Sequence, residues 1–188
     1  MNIETIINIC LGIGLAASAG FRVFLPLFAL SLSAYFNVLE INESWQWIGS
    51  LSAVIILGVA TLVEIVAYFI PFIDNLLDSI AVPLAAFAGT IVMLSTIVDL
   101  SPEITWTLAI IAGGGTAAII SGTSSVTRLA STATAGGVGN PVVSTVETGT
   151  SIIMSIVSLF LPVLAFILVI FLLVITFRLY KKFKKPKV

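Results

Sequence analysis

The sequence predicts an all-α fold, a polytopic transmembrane helical bundle with broken or re-entrant helices. Of its 188 residues 59% are hydrophobic and 9% are charged, and the mean hydropathy is +1.22. Soluble domains carry about 25% charged residues, so this chain has too little polar surface to cover a globule in water. Glycine and proline interrupt its long uncharged runs. We expect one integral membrane domain over residues 1–177, with 1–100 and 101–177 as candidate halves, and a basic tail at 178–188.

The charged residues are distributed unevenly along the chain. All nine acids precede Arg178, and six of the eight basic residues lie from Arg178 onward. A basic run directly after an apolar span is retained in the cytoplasm, so the C-terminus is expected to face the cytoplasm from a plasma (inner) membrane. The same charges attract anionic lipids, which makes membrane lipids expected partners. A short tail behind a membrane anchor holds no nucleic-acid recognition module, so no nucleic acid is expected to bind.

The first apolar run covers residues 5–38 and contains Gly20-Phe21-Arg22 near its middle. As one straight helix it would be about 51 Å long, whereas the hydrocarbon core of a bilayer is about 30 Å thick. The run is therefore predicted to divide into two pieces, 5–19 and 23–38. Each piece is short for a full crossing, which favours a re-entrant hairpin or a discontinuous helix with its break inside the membrane.

The next part of the chain predicts one full span and then an interrupted one. A polar loop at 37–44 precedes an apolar stretch at 46–70, which ends at Pro71. Pro83 is expected to interrupt the chain before a further apolar stretch at 84–98, because proline removes a hydrogen bond from a helix.

The second half of the chain changes composition twice. Residues 121–134 include eight Ser or Thr, which either line a hydrophilic path or bond across helices as packing contacts. A glycine-rich stretch at 136–141 predicts a turn. No polar turn surrounds Pro162, so a simple hairpin of two spans is not expected there. The helical segments predicted in this half are 104–121, 142–160 and 163–180.

Two features recur in the same order in the two halves. A small-residue stretch ends in an arginine at Arg22 and again at Arg128, and a proline followed by polar residues comes later, at Pro71 and at Pro141. Small transporters are often built from two halves in opposite orientation, with broken helices that meet near the bilayer midplane. Coincidence is the alternative, since the arginine-to-proline intervals differ, 49 residues against 13. An inverted repeat is therefore one hypothesis for this fold.

Five charged residues near helix breaks are candidates for a functional site. A charge at the bilayer centre costs from about 3 to more than about 10 kcal/mol, so each one needs a partner or a water-filled cavity. In one hypothesis Arg22 and Arg128 bind an anionic substrate bidentately, and Asp74, Asp78 or Glu147 couples its movement to protons. In the alternative, fixed ion pairs of Arg22 with Asp78 and of Arg128 with Glu147 tie broken helices together.

Three polar residues have roles that the sequence leaves open. Asn140 and Ser144 join the two arginines in the predicted substrate-binding set. Because Asn140 directly precedes Pro141, a helix cap is its alternative role. Glu64, the single charge in the 46–70 stretch, either points into a polar interior or extends toward the membrane surface.

The side chains argue against enzymatic catalysis. The sequence has no His, one Cys and no Lys before the tail, so no serine has a predicted base beside it. Asp74 and Asp78 lie one turn apart on one helix, which is not the facing geometry of an aspartic dyad. The same composition excludes zinc, haem and iron–sulfur sites of the usual kind, and no metal or other cofactor is expected.

Three separated motifs carry a family resemblance: GLAASAGFRVFLP at 14–26, IPFIDNLLD at 70–78 and GGVGNPVVS at 136–144. Together they resemble a family of small prokaryotic multi-pass membrane proteins known only as a domain of unknown function. The resemblance implies a shared architecture and transfers no activity.

A second resemblance is at the level of the fold. Phe21-Arg22 followed by Pro26 is similar to DedA-type membrane proteins, which combine re-entrant helices with intramembrane arginines and acids and are linked to lipid-carrier transport. This chain lacks the second arginine that follows the proline in that pattern.

The sequence therefore predicts about four full spans and two re-entrant or broken segments. The expected function is a small secondary transporter or lipid-translocating protein with an intramembrane Arg/carboxylate site for an anionic substrate, with proton coupling as an option. The alternative is a non-transporting membrane scaffold or the subunit of a larger membrane complex. A monomer of this size encloses little volume, which makes a homodimer plausible, although no residue demands one.

Overall fold

The structure is a computed structural model that describes residues 2–135 and 138–183. Within these two ranges the chain is helical, with short turns and no β-strand, so the predicted all-α fold is confirmed. The helices are α1 (Ile3–Ala19), α2 (Phe24–Tyr35), α3 (Leu51–Ala67), α4 (Pro71–Thr96), α5 (Pro102–Leu108), α6 (Gly115–Ala135), α7 (Asn140–Phe160) and α8 (Pro162–Phe183). A 3-10 helix (Glu43–Gly49) precedes α3, and a π-helix (Ala109–Gly114) joins α5 to α6. The predicted turn residues Gly136 and Gly137 and the tail residues 184–188 lie outside the described residues.

Several of these helices are long and apolar enough to cross a membrane. In the described part of the chain there are three: Ile73–Thr96, Pro102–Thr134 and Asn140–Phe160. A fourth is present if the 3-10 helix and α3, bent by 65° at their junction, count as one span. The large apolar side chains exposed on α3 are Leu51, Ile55, Ile56, Val59, Leu62, Val63 and Val66. Such a surface suits lipid and not water, because a soluble protein rarely exposes a contiguous apolar face of this size.

The first apolar run divides at residues 20–23 into α1 and α2, as predicted. Gly12 in α1 packs against Thr96 at the end of α4. The backbone N–H of Asn42, beyond α2, donates to the carbonyl oxygen of Ser95 at 2.9 Å. α1 therefore begins, and α2 ends, at the same end of the bundle, and the break lies away from that end. That this pair is re-entrant in the membrane stays a prediction.

The expected interruption at Pro83 is wrong, because α4 continues through this residue from Pro71 to Thr96. Membrane helices tolerate an internal proline, since neighbouring groups and local adjustments satisfy the freed carbonyl. The Ser/Thr-rich stretch at 121–134 is also helical and belongs to α6. Hydroxyl groups there donate to carbonyls one turn earlier, as Thr127 does to Thr123 at 3.0 Å.

α7 and α8 form an antiparallel hairpin with its turn at Leu161. Val146 near the start of α7 and Leu172 toward the end of α8 line one groove, which shows that the two helices run in opposite directions. The two helices thus form a hairpin at Pro162, but of the two only α7 is among the helices long and apolar enough to cross a membrane in the described part of the chain. A polar turn is not required here, because the tip residues Phe160 and Leu161 are exposed and apolar, which suits contact with lipid.

The motifs considered for an inverted repeat lie on helices that run in the same direction. α1 and α6 are each antiparallel to α4, and the end of α1 packs against α6 where Gly20 meets Ile120. α4 and α7 both begin near the end of α1 and run toward its start. Inverted repeats place matching helices in opposite directions, so these motifs do not support one.

The two ends of the bundle differ in charge. The end where α1 begins and α4 finishes, called the acidic end, carries Glu4, Glu40, Glu43, Asp99 and Glu103. At the other end, called the basic end, the last turns of α8 carry Arg178 and Lys181. This separation of charge across the length of the bundle is the pattern expected when each end faces a different side of a membrane.

Small residues allow the central helices to approach closely. A Cβ atom added to Gly113 would lie 2.5 Å from the carbonyl oxygen of Gly89, so these two backbones are in direct contact. Between α1 and α7, the Ser18 hydroxyl lies 2.8 Å from the hydroxyls of both Ser151 and Ser155. Membrane helices associate through such close contacts and interhelical hydrogen bonds, because lipid provides no hydrophobic driving force.

We expect Gly113→Ala to destabilise the protein and Gly115→Ala to leave it unchanged. The added methyl group meets backbone at position 113, whereas nothing lies within 4 Å of the position it would take at residue 115. Overpacking of this kind costs about 1–3 kcal/mol. The measurement is thermal unfolding of both variants in detergent micelles, and equal melting temperatures would contradict the contact between α4 and the π-helix.

Candidate functional site

A buried ionic cluster lies where the α1–α2 break meets the first turns of α4 and α7 and the later turns of α6. The structure brings all the predicted site residues together there: Arg22, Asp74, Asp78, Arg128, Asn140, Ser144 and Glu147. Arg22 is 1% exposed and Arg128 is 2% exposed. Such burial requires compensating negative charge at short range.

Glu147 is the partner that both arginines share. Arg22 Nη1 lies 3.1 Å from Glu147 Oε2. Arg128 Nε donates to Glu147 Oε1 at 3.3 Å, and Arg128 Nη2 donates to Oε2. The ion pair expected between Arg128 and Glu147 therefore forms. The pair expected between Arg22 and Asp78 is wrong, because Arg22 lies against α7 while Asp78 on α4 faces α6.

Arg22 is held by three further bonds. Its Nε donates to Thr148 Oγ1 at 3.0 Å, its Nη2 to the Ser144 carbonyl at 3.0 Å, and its Nη1 to the Phe21 carbonyl at 3.1 Å. Ser144, Glu147 and Thr148 are three and four residues apart, so they lie on one face of α7. This face receives the guanidinium group at the point where α1 ends.

Arg128 has looser contacts on its other side. Its Nη1 lies 3.9 Å from Asp74 Oδ2 and its Nε lies 3.7 Å from Asp78 Oδ1. Asn140 Nδ2 donates to Asp74 Oδ2 at 3.1 Å. Among the described residues, three buried polar atoms in this region have no hydrogen-bond partner: Arg128 Nη1, Asp74 Oδ1 and Asn140 Oδ1. This side of the cluster therefore has unused hydrogen-bonding capacity.

Tyr68, at the end of α3, contacts both arginines and was not predicted as a site residue. Its ring centroid lies 4.1 Å from Arg22 Cζ and 4.4 Å from Arg128 Cζ. Its carbonyl oxygen accepts a hydrogen bond from Ser144 Oγ at 3.3 Å. An aromatic face attracts cations, so the ring holds two like charges near each other. The feature of the sequence that could have indicated this role is the position of the tyrosine, one turn after Glu64 in an apolar span.

Glu64 points into the interior, which resolves the two alternatives that the sequence left open. Its carboxylate accepts hydrogen bonds from the backbone N–H groups of Val23 at 2.7 Å and Phe24 at 3.0 Å. These donors lie at the start of α2, where a helix leaves N–H groups without internal partners. Glu64 thus caps α2 from a neighbouring helix and fixes the backbone directly after Arg22.

A lateral groove between α6, α7 and α8 reaches the cluster. Its volume is about 310 Å³, and it is lined by Phe21, Ile120, Thr123, Ser124, Thr127, Val142, Val143, Val146, Glu147, Leu172 and Thr176. Three of the Ser/Thr residues predicted to line a hydrophilic path are among them. Glu147 lies in the wall of the groove, whereas the two arginines lie behind it. Within the described residues, no group of His, Cys, Asp or Glu side chains could hold a metal ion.

The apolar helices and the buried ionic cluster together define a multi-pass helical membrane protein. The chain belongs to the family described as a domain of unknown function (DUF4126), whose family model matches residues 9–182. The resemblance to an uncharacterised family is thereby confirmed. No curated protein and no solved structure matches the chain.

We expect Glu147→Gln to destabilise the protein far more than Asp78→Asn. Each change removes one negative charge beside Arg128, but Glu147 bonds to both arginines, whereas Asp78 is 3.7 Å away with a side chain 19% exposed. Breaking a buried pair costs about 3–5 kcal/mol, whereas a longer and partly exposed pair contributes less. SDS-induced unfolding in mixed micelles, followed by tryptophan fluorescence, measures both. Equal losses would contradict the central position of Glu147.

A second comparison tests the tyrosine ring. Tyr68→Phe keeps the aromatic face and should leave the unfolding free energy nearly unchanged, while Tyr68→Leu should lower it by about 2 kcal/mol or more, the value of a desolvated cation–π contact. The same unfolding titration reports both variants. A loss as large for Phe as for Leu would show that the hydroxyl group, and not the ring, stabilises the arginines.

Proposed function

We propose that this protein is a small secondary transporter or lipid-translocating protein whose anionic substrate binds between Arg22 and Arg128. The observation that carries the proposal is the position of Glu147, which bonds to both arginines and also lines the lateral groove. A carboxylate in contact with two guanidinium groups occupies the place that a bidentate anionic substrate would take. Glu147 thus acts as a resident counter-ion that the substrate replaces.

Proton coupling is supported by the charges around the two arginines. Arg22 and Arg128 face more carboxylates than they can neutralise: Glu64, Asp74, Asp78 and Glu147. When Asp74, Asp78 or Glu147 takes up a proton, the cluster loses one negative charge, and a substrate anion binds at the arginines in its place. One proton and one anion then occupy the site together, and loss of the proton restores the negative charge and expels the anion.

Asp74, Asp78 and Asn140 hold Arg128 while Glu147 is displaced. Asp74 and Asp78 already lie within 3.9 and 3.7 Å of the Arg128 guanidinium, so a small movement brings them to hydrogen-bonding distance. The unused donor of Arg128 and the unused oxygens of Asp74 and Asn140 give this side the capacity for the exchange. Ser144, which donates to the Tyr68 carbonyl and accepts from Arg128, keeps α7 in register with the cluster.

The proposed orientation follows from the charged ends. Basic residues are retained in the cytoplasm, so the basic end with Arg178 and Lys181 faces the cytoplasm from the plasma membrane. The acidic end, where α1 begins, then faces the opposite side, and the N-terminus lies there. In this orientation α1 and α2 form a re-entrant pair, the feature that the DedA resemblance implies.

The second candidate is a non-transporting scaffold or a subunit of a larger membrane complex. The observation that favours it is the set of bonds to Arg22, which uses four of its five N–H donors on Thr148, Glu147, Phe21 and Ser144. In neither candidate does the protein act as an enzyme or carry a cofactor. A homodimer stays a prediction.

Arg22→Gln distinguishes the two candidates. Wild-type protein in liposomes is offered inorganic phosphate and, separately, fluorescent phosphatidylglycerol, and movement of either probe is followed together with internal pH. We expect wild type to move at least one probe with protons, and Arg22→Gln to abolish this while its circular dichroism and gel-filtration profile are unchanged. Glu103→Gln at the acidic end is the control and should transport normally.

Two results would contradict the transporter proposal. One is a wild-type protein that moves neither probe. The other is an Arg22→Gln variant that cannot be recovered folded from membranes, which would show that the arginine ties helices together as the scaffold candidate requires.

A further inference from the structure

We propose that the lateral groove admits an anionic lipid sideways from the leaflet at the basic end. The substrate of the site is then an amphipathic phosphate-bearing lipid, and not a water-soluble anion. This inference rests on the proposed function and names its substrate class.

The lining of the groove suits the junction between a headgroup and an acyl chain. Hydroxyl groups of Thr123, Ser124 and Thr127 lie along α6, and apolar side chains such as Val143 and Leu172 form the facing walls. A volume of about 310 Å³ is at the small end for ligand pockets. It holds a phosphate headgroup and the first part of a chain, while the rest of the lipid stays in the bilayer.

The rim of the groove faces lipid. Val142 and Val146, which line it, are 67% and 63% exposed, and Val126 and Leu129 on the outer face of α6 are also exposed. A soluble anion would have to cross this apolar rim, at the high cost of bringing a charge into hydrocarbon. A lipid in the bilayer is already in contact with the outside of the rim, so access from the side favours a lipid over a soluble anion.

The groove extends toward the basic end of the bundle. Thr176 lines it, and the exposed Arg178 and Lys181 follow on α8. At 1.5 Å per residue they lie about 3 and 8 Å further along the helix axis. Basic side chains at this level attract anionic headgroups. The phosphate is drawn first to these residues and then into the groove, toward Glu147 and the arginines behind it.

The experiment is photo-crosslinking of the full-length protein in phosphatidylcholine nanodiscs. The probe is phosphatidylglycerol with a diazirine on the acyl chain close to the headgroup, present as a minor component. We expect labelled peptides to contain residues 123–127 of α6 and 172–176 of α8. Thr127→Trp fills the groove and should lower this labelling about tenfold, equivalent to 1.4 kcal/mol of binding.

Thr107→Trp is the matched control. Thr107, like Thr127, is exposed and donates to the carbonyl one turn earlier, but it lies at the acidic end, so its labelling should equal that of wild type. Ser124→Phe, which also fills the groove, repeats the test in case Thr127→Trp does not fold. Labelling of the same peptides to the same extent by a diazirine phosphatidylcholine would overturn the inference, as would full competition by soluble glycerol phosphate.

The two proposals fail differently. If the groove is not labelled but Arg22-dependent phosphate uptake is measured, the lipid inference is wrong and the transporter proposal stands. If phosphatidylglycerol labels the groove specifically but Arg22→Gln moves the fluorescent lipid at the wild-type rate, the groove binds lipid and the proposed transport site is wrong.

Discussion

Two guanidinium groups buried in the bundle must each have negative charge within hydrogen-bonding distance, and the helices around them are arranged to supply it. Glu147 in the second turn of α7 meets both groups, and Asp74 in the first turn of α4 lies beside Arg128. Asp74 lies in the first turn of its helix, where the aligned peptide dipoles also favour negative charge. The α1–α2 break places Arg22 opposite this face, and Glu64 caps the helix that follows. The cluster therefore lies where α1 ends and where α2, α4 and α7 begin.

The two arginines are held with different rigidity. α1 is fixed to α7 by the serine contacts around Ser18 and to α4 by the close approach at Gly12, and Arg22 at its end uses donors on all three of its guanidinium nitrogens. Arg128 has strong bonds only on the side of Glu147 and longer contacts, 3.7 and 3.9 Å, on the side of α4. In the proposed function, an exchange of partners is therefore easier at Arg128 on α6 than at Arg22 at the end of α1.

The sequence predicts the members of the cluster better than its connections. The cost of charge in a membrane is large enough to single out Arg22 and Arg128 without any knowledge of the fold. Which carboxylate meets which arginine depends on helix rotation and on the position of each break, and neither is encoded in spacing alone. For this reason the pairing of Arg22 was predicted incorrectly. The break after α1 was predictable because a 34-residue apolar run exceeds the bilayer, whereas at Pro83 tertiary contacts override a local helix breaker.

The order of events at the site follows from which group can be reached first. Glu147 lines the groove, whereas neither arginine does, and both arginines have almost no exposed surface. In the proposed transport function, an anion that approaches through the groove meets the negative charge of Glu147 before it reaches either arginine. The carboxylate that pairs with the arginines is therefore also the barrier to the substrate, and binding of the anion requires displacement of Glu147. This arrangement needs no separate gate.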